Sequence, residues 1–452
     1  MSEASATGST PGNTPRSTPG STPGQTGVVI ALGLTQTLAW ASSTYLPAIL
    51  AAPIALDLGI SRATVFGAFS VSLLVTAACG PVVGRAIDKA GGRNMLMLSN
   101  LVLAAGLIVL GSAQQAAMLF AAWCILGAGM AMGLYDAAFA ALVRIYGSGA
   151  RKPITGITLI AGFASTVGWP LTAYMDAEIG WRAACFVWAA MHVLIALPVN
   201  WRLIPVPPAT ATGASAPLPS PAPLASGAIA ATEPGATAPT GPAAQSATSA
   251  APPQTPSMSL ASAAAEGKRS FALLAVYFAT TAFVTSAYAS HLPGLLTAMG
   301  AGSAGAVMAA ALLGPAQVAA RLIEFGVISR YQVHALVTAR VATALHPLAC
   351  LLLAAFGGPL GLAAAFALLH GAGNGMITIA KGTLPLALFG PAGYGLTQGW
   401  LGVGARVMQA SAPYAFGLAL DGWGGHAALA ISAGLSLLAL GALCALRPRE
   451  PQ

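Results

Sequence analysis

Charge is the scarcest commodity in this chain. Only 7% of its 452 residues are Asp, Glu, Lys or Arg, against about 25% in an ordinary soluble domain. So few charges cannot keep folded domains of this total size dissolved, which excludes a string of soluble domains. Acids are rarer than bases, 11 against 19. The five cysteines, Cys79, Cys124, Cys185, Cys350 and Cys444, lie far apart inside apolar runs, without a Cys-x-x-Cys. That odd number and spacing exclude a disulfide framework and a zinc site, and leave them as small buried residues. Nucleotide loops, metal clusters and nucleophile–base constellations are missing too, so no enzyme, cofactor or metal site is expected. The N-terminus lacks the basic region and apolar core of a secretory signal. What is present is apolar: 56% hydrophobic residues and 53 glycines. This is the composition of a polytopic membrane protein, with the lipid bilayer as its partner.

Two stretches interrupt the apolar sequence. Residues 1–26 repeat a Ser-Thr-Pro-Gly unit and read as a disordered tail. Residues 205–268, rich in Ala, Pro, Ser and Thr, read as a disordered linker between bundles at 27–204 and 269–446, with a short tail at 447–452. Within each bundle six runs reach the roughly 20 residues needed to cross a hydrocarbon core. They fall near 27–54, 62–83, 94–113, 116–145, 153–175 and 182–203, then 271–298, 302–325, 332–356, 358–388, 394–420 and 425–446. With the N-terminus inside, fourteen cations, Arg321 among them, fall on inner segments, and only Arg62 and Arg182 on outer loops. Such a bias predicts cytoplasmic termini and linker. The positive charge is thus a topology signal, and no nucleic-acid partner is expected.

The halves echo each other. Tyr45-Leu-Pro-Ala-Ile-Leu50 matches His291-Leu-Pro-Gly-Leu-Leu296, Gly84-Arg-Ala-Ile-Asp88 matches Ala320-Arg-Leu-Ile-Glu324, and Gly127-Ala-Gly129 matches Gly371-Ala-Gly373. Three matches in one order indicate a duplicated six-helix unit, with a site at the interface between the halves.

Between the second and third spans stands Gly84-Arg-Ala-Ile-Asp88-Lys89-Ala-Gly91-Gly92-Arg93-Asn94. It resembles the cytoplasmic signature of the major facilitator superfamily, with Asn94 in place of the last basic residue. The resemblance covers about residues 27–446. It implies an all-α membrane protein with twelve transmembrane helices in two pseudo-symmetric six-helix bundles, working by alternating access. In that signature Gly84 permits close helix contact, and Asp88 is expected to meet a helix N-terminus or a cation at the inner gate. Lys89, Gly91 and Arg93 complete the loop; the cations also serve topology. The signatures of drug/proton antiporters are missing: Trp123 stands where an arginine is usual, and the Gly-Pro-x-x-Gly-Gly of their fifth span is absent, with Gly168-Trp-Pro170 nearby instead. Asp176-Ala-Glu-Ile-Gly-Trp-Arg182 resembles a loop of organic-anion and monocarboxylate branches, and Gly373-Asn-Gly-Met-Ile-Thr-Ile-Ala-Lys381 resembles a stretch of a branch with arsenite exporters.

A charge inside a span costs roughly 2.5–3.5 kcal/mol, so each is a functional candidate. Asp136 is the only acid deep in a span, and Lys381 lies at the corresponding depth of the tenth. In the family fold, spans one, four, seven and ten line the cavity. Asp136 and Lys381 are therefore candidates for a gate salt bridge and for proton coupling, or each pairs inside its own bundle. Arg406, near the centre of span eleven, binds an anion or satisfies carbonyls and Gln409. Polar stripes at helical spacing add Gln36 and Trp40 on span one, Tyr288 on span seven, and His370, Asn374 and Thr378 on span ten. They line a substrate path, or they are polar glue between helices.

The expectation is a monomeric, inner-membrane secondary transporter of a small solute, first a small organic anion, coupled to protons. Efflux of a drug or of a metalloid such as arsenite by proton antiport is the rival cargo reading. A transporter-like sensor is the rival from another class.

Overall fold

The structure is a computed structural model that describes residues 24–205, 260–328, 330–331 and 333–447. Most of the expected tail (1–26), most of the expected linker (205–268) and residues 448–452 lie outside the described residues. Residues 207–268 separate as a unit of their own, of which only the helical start at Leu260 is described.

The first half runs α1 (Gln25–Ala41), α2 (Leu46–Asp57), α3 (Arg62–Ala90) and α4 (Gly92–Gly111). It continues with α5 (Ala116–Gly133), α6 (Tyr135–Tyr146), α7 (Arg151–Ala161), α8 (Ala164–Met191) and α9 (Leu197–Leu203). The second half holds α10 (Leu260–Ala298), α11 (Ser303–Ala311), α12 (Leu313–Ile323), α13 (Ala335–Phe356), α14 (Leu360–Phe389) and α15 (Tyr394–Ala445). Among the described residues there is no strand. Nine helical stretches there are long and apolar enough to cross a membrane. Two of them, Ala116–Leu203 and Tyr394–Ala445, would measure about 130 and 78 Å if straight, against a hydrocarbon core of about 30 Å. They fold back instead. The first turns at Gly147–Ala150 and at Gly180 (φ 80°), the second at Gly424 (φ 82°). Left-handed backbone of that kind favours glycine. So divided, the stretches make twelve crossings, six in each half.

Several spans are broken inside the membrane. In span one the Ser42 and Ser43 hydroxyls donate back to the Leu38 and Ala39 carbonyls, and Pro47 opens α2 where its missing N–H costs nothing. In span four Leu134 is extended, so that Tyr135 and Asp136 fall in the first turn of α6. A carboxylate is favoured there by the helix dipole. Large side chains such as Leu34, Val82, Leu194, Met308, Leu351 and Leu437 stay exposed, as a surface solvated by lipid requires.

Each half buries two apolar clusters. One at the cation-rich end crosses between them: Leu386 and Tyr394 of the second half pack with Val83, Ile87, Phe139 and Ile154 of the first. The α3 and α15 helices pack extensively on each other and also join the halves. Gly80 and Gly84 face Gly399 and Gly395, and a methyl added at Gly84 would overlap the Gly395 carbonyl. This is the small-xxx-small spacing that lets two membrane helices touch backbone to backbone. One placement from the sequence needs correction. Arg321, counted there with the loop cations, is 5% exposed inside α12, because the helix runs on past it into the turn Glu324–Ile328.

Candidate functional site

Two acids clasp the cation-rich end. The first four N–H groups of a helix have no partner inside it. At the start of α15, Gly395 N–H donates to Asp88 Oδ1 and Leu396 N–H to Oδ2, both at 2.8 Å. Asp88 thus crosses from the first half to the second. Its repeat counterpart crosses the other way: Glu324, 1% exposed, accepts from Arg151 Nη2 at 3.1 Å, at the first residue of α7. Arg151 Nη1 also donates to the Val333 carbonyl at 2.6 Å. Of the remaining signature residues, Gly91 joins α3 to α4, Arg93 donates to the Trp201 carbonyl within the first half, and Lys89 is exposed.

Gly395 and Arg406 are eleven residues apart on α15, so the next crossing lies about 16 Å deeper. Arg406 Nη2 meets Asp136 Oδ2 at 3.2 Å, and Gln398 Nε2 donates to Oδ1 at 3.1 Å. Arg406 Nη1 donates to Gln409 Oε1 at 2.9 Å. The Asp136 side chain is 35% exposed and Arg406 12%. Both line a cavity of ≈ 20 Å³ that follows the α3–α15 crossing past Thr76, Gly80 and Gly399, room for about one water. Lys381 is half-buried within electrostatic reach of both Asp136 and Arg406. Among the described residues there are three ion pairs, and Lys381 is in none of them. In this conformation Asp136 is bound to Arg406, not to Lys381. The arginine read as an anion anchor is held by Asp136 and Gln409.

The polar stripes divide. Gln36 donates to the Gly133 carbonyl, freed by the break before α6. Trp40 lies 4.9 Å from the Tyr135 ring and 6.0 Å from that of Tyr45, with its buried Nε1 unpartnered among the described residues. Asn374 Oδ1 accepts from Thr285 at 2.9 Å, and Thr378 Oγ1 lies 3.4 Å from Arg321 Nη2. Tyr288 and His370 are packed inside the second half. The Tyr288 hydroxyl meets Ser432 at 2.5 Å, and His370 Nδ1 meets His346 Nδ1 at 2.7 Å. That last contact needs one ring as donor and the other as acceptor. Gln398 and the burial of Arg321 escaped the sequence reading, and Glu324 entered it only as the repeat counterpart of Asp88. The facing spacings Gly80-x-x-x-Gly84 and Gly395-x-x-x-Gly399 were the signal that Gln398 belongs to the interface.

Comparison with known proteins matches this geometry to a family. The family model described as Major Facilitator Superfamily matches residues 32–380. No curated protein matches the chain in sequence. Among solved structures, the human organic anion transporter MFSD10 (TETRAN) superposes with a TM-score of 0.62 at 16% identity, covering 93% of this chain and all of that one. The transporter FucP in its outward conformation superposes at 0.64 and 13% identity, covering 92% of this chain and 99% of that one. A single-residue variant of FucP, the E. coli fucose:proton symporter, gives 0.60 at 15%, covering 92% and 97%. At such identities the neighbours show the fold alone, but the family match spans most of the sequence. With its two six-span halves clasped by Asp88 and Glu324, the chain belongs to the Major Facilitator Superfamily.

Proposed function

We propose that this protein is a proton-coupled secondary transporter of a small organic anion. It acts as a monomer in the inner membrane, with the cation-rich end, both termini and the linker in the cytoplasm. The observation that carries this reading is the Asp136–Arg406 pair, a half-exposed acid holding a cation from the opposite half. With Lys381 beside them, the interior has more positive than negative charge, and an anion would relieve the excess.

Coupling follows from competition. While Asp136 is ionised it occupies Arg406. Once protonated it no longer competes, and Arg406 with Lys381 can take a substrate carboxylate, for which a guanidinium has the matching fork. Release on the far side lets Asp136 lose its proton and reclaim Arg406. Gln36, Trp40, Asn374 and Thr378 would line the path, with Tyr288 and His370 supporting it from within the second half. Asp88 closes the cytoplasmic gate, with Gly84, Lys89, Gly91 and Arg93 shaping its loop. Support comes from the neighbours too: one solved protein of this fold is an organic anion transporter and another a fucose:proton symporter.

Reconstituted liposomes test this. Uptake of radiolabelled carboxylates should accelerate when the outside is acidified, and Asp136→Asn should keep substrate exchange while losing the response to the pH gradient. Wild-type flux indifferent to the gradient would refute proton coupling. A protein that binds but sustains no flux would be a sensor.

A further inference from the structure

Arg321 takes no part in the pairings above. It lies 5% exposed on α12, and its donors reach only neutral acceptors: the Thr158 carbonyl at 3.2 Å, the Gly375 carbonyl at 3.4 Å and Thr378 Oγ1 at 3.4 Å. All three bonds are longer than charge-assisted ones, which run at about 2.7–2.9 Å. None of the three ion pairs among the described residues includes it. Glu324, one turn on, is committed to Arg151, and Asp136 to Arg406. An arginine cannot shed its proton to escape burial, and an uncompensated buried charge is costly.

Its surroundings hold donors without acceptors. Arg321 is within electrostatic reach of the half-buried Tyr45 and Tyr135, which are also within reach of each other. Among the described residues neither hydroxyl makes a hydrogen bond. The Trp40 Nε1 of the same aromatic cluster is buried without a partner. Tyr135 is held by stacking on Phe139 at 5.3 Å, and Tyr45 by the edge of Trp169 at 5.7 Å. Gly162 leaves the guanidinium its room, since a side chain there would run into Nη1.

We propose that Arg321, Tyr45 and Tyr135 form a carboxylate-binding position for an organic acid whose apolar body lies against the Trp40–Tyr45–Tyr135 cluster. The claim rests on the anion-transport reading and names its principal anchor. Arg406 is released only when Asp136 is protonated, whereas Arg321 is available in every protonation state. The position is also built from both halves, because Arg321 is on the second half and the tyrosines on the first. A ligand held there feels both halves, as alternating access requires.

The test is calorimetric titration of the purified full chain with benzoate, lactate and succinate, and with neutral benzamide as control. At least one carboxylate should bind saturably and benzamide should not. Arg321→Gln should weaken that binding by about 10- to 100-fold and Arg321→Lys by less, as loss of charge-assisted bonds implies. Tyr135→Phe, which removes a single oxygen, should weaken it about 3- to 10-fold, and thermal melting without ligand checks that each variant is folded. Carboxylate binding unchanged in Arg321→Lys and Tyr135→Phe would overturn this position while leaving the anion reading intact. Failure of the wild-type protein to bind any of the three acids would overturn both.

Discussion

Asp88→Asn isolates a single interaction between the halves. The native carboxylate accepts from Gly395 N–H and Leu396 N–H at 2.8 Å each, at a helix end that offers no internal partner for them. Asparagine has the same shape but presents one acceptor oxygen and one NH₂ group. One bond is therefore lost, and the NH₂ hydrogens face another donor. A hydrogen bond to a charged group is worth about 1.5–3 kcal/mol, and a carboxylate at a helix N-terminus adds about 0.3–1 kcal/mol. Together the substitution should cost about 2–4 kcal/mol, or about 30- to 900-fold in the equilibrium between closed and parted halves at this end.

Hydrogen exchange read by mass spectrometry reports on those very amides. Their protection comes from Asp88, so the peptide covering Tyr394–Gln398 should exchange faster in Asp88→Asn by about that factor, under conditions where opening is a pre-equilibrium. Peptides from the middle of α4, packed inside the first half, should be unchanged. If the α15 peptide keeps its protection in Asp88→Asn, the carboxylate is not what closes this end, and the argument from the helix terminus fails.

Three further outcomes follow from the geometry. Arg151→Gln leaves Glu324 buried without its cation, so it should lower the melting temperature more than Glu324→Gln does, and the double variant should recover part of the loss; Arg151 is 27% exposed, which puts the cost at about 1–3 kcal/mol. Gly84→Ala forces a methyl against the Gly395 carbonyl and should weaken the α3–α15 contact by about 1–3 kcal/mol, seen as faster exchange in the same α15 peptide. His334 caps α13 by accepting the Leu336 N–H on Nδ1 at 3.2 Å, and burial first, then Arg151 and Arg340, hold its pKa below the usual 6.5. The unfolded chain therefore binds the proton more readily, so this cap's stabilisation is complete above pH 6.5 and disappears as pH falls through the lowered value. His334→Asn, which caps without titrating, should flatten that part of the melting-temperature profile between neutral and acidic pH, and an unaltered profile would refute it.

Span count, the two halves and the helix-end contact of Asp88 were legible because each depends on quantities a sequence carries directly: run length, cation placement and a local motif. Partners across the interface were not. Pseudo-symmetry suggested Lys381 as the mate of Asp136, but equivalence by duplication fixes depth along a helix and says nothing about which neighbour that helix turns toward. α6 packs more extensively on α15 than on α14, and that places Asp136 against Arg406, 270 residues away. Arg321 was hidden for a related reason. Its repeat counterpart Arg85 is exposed at the end of α3, whereas Arg321 is buried. The local motif is the same, and the orientation of α12 after its break at Leu312 decides the difference.

The charges also explain which end is closed. Asp88, Glu324 and Asp136 are, among the described residues, the acids that reach across between the halves, and all three do so toward the cation-rich end. Further along α15 than Arg406, the hydrogen bond between the halves among the described residues is that of the Ser70 hydroxyl with the Ala410 carbonyl, at 3.5 Å. Among the described residues, parting the halves at that far end separates no ion pair, whereas parting them at the cation-rich end separates two and uncaps a helix. In the proposed mechanism an anion entering by the weak end would meet Arg321 and compete with Asp136 for Arg406. In that mechanism protonation removes the charge of the Asp136 crossing, and Asp88 and Glu324 remain, among the described residues, as the charged acids that join the halves. On this proposal the proton frees Arg406 from Asp136, and the substrate supplies the counter-ion that the freed cations then lack, so proton and substrate act together on the strong end.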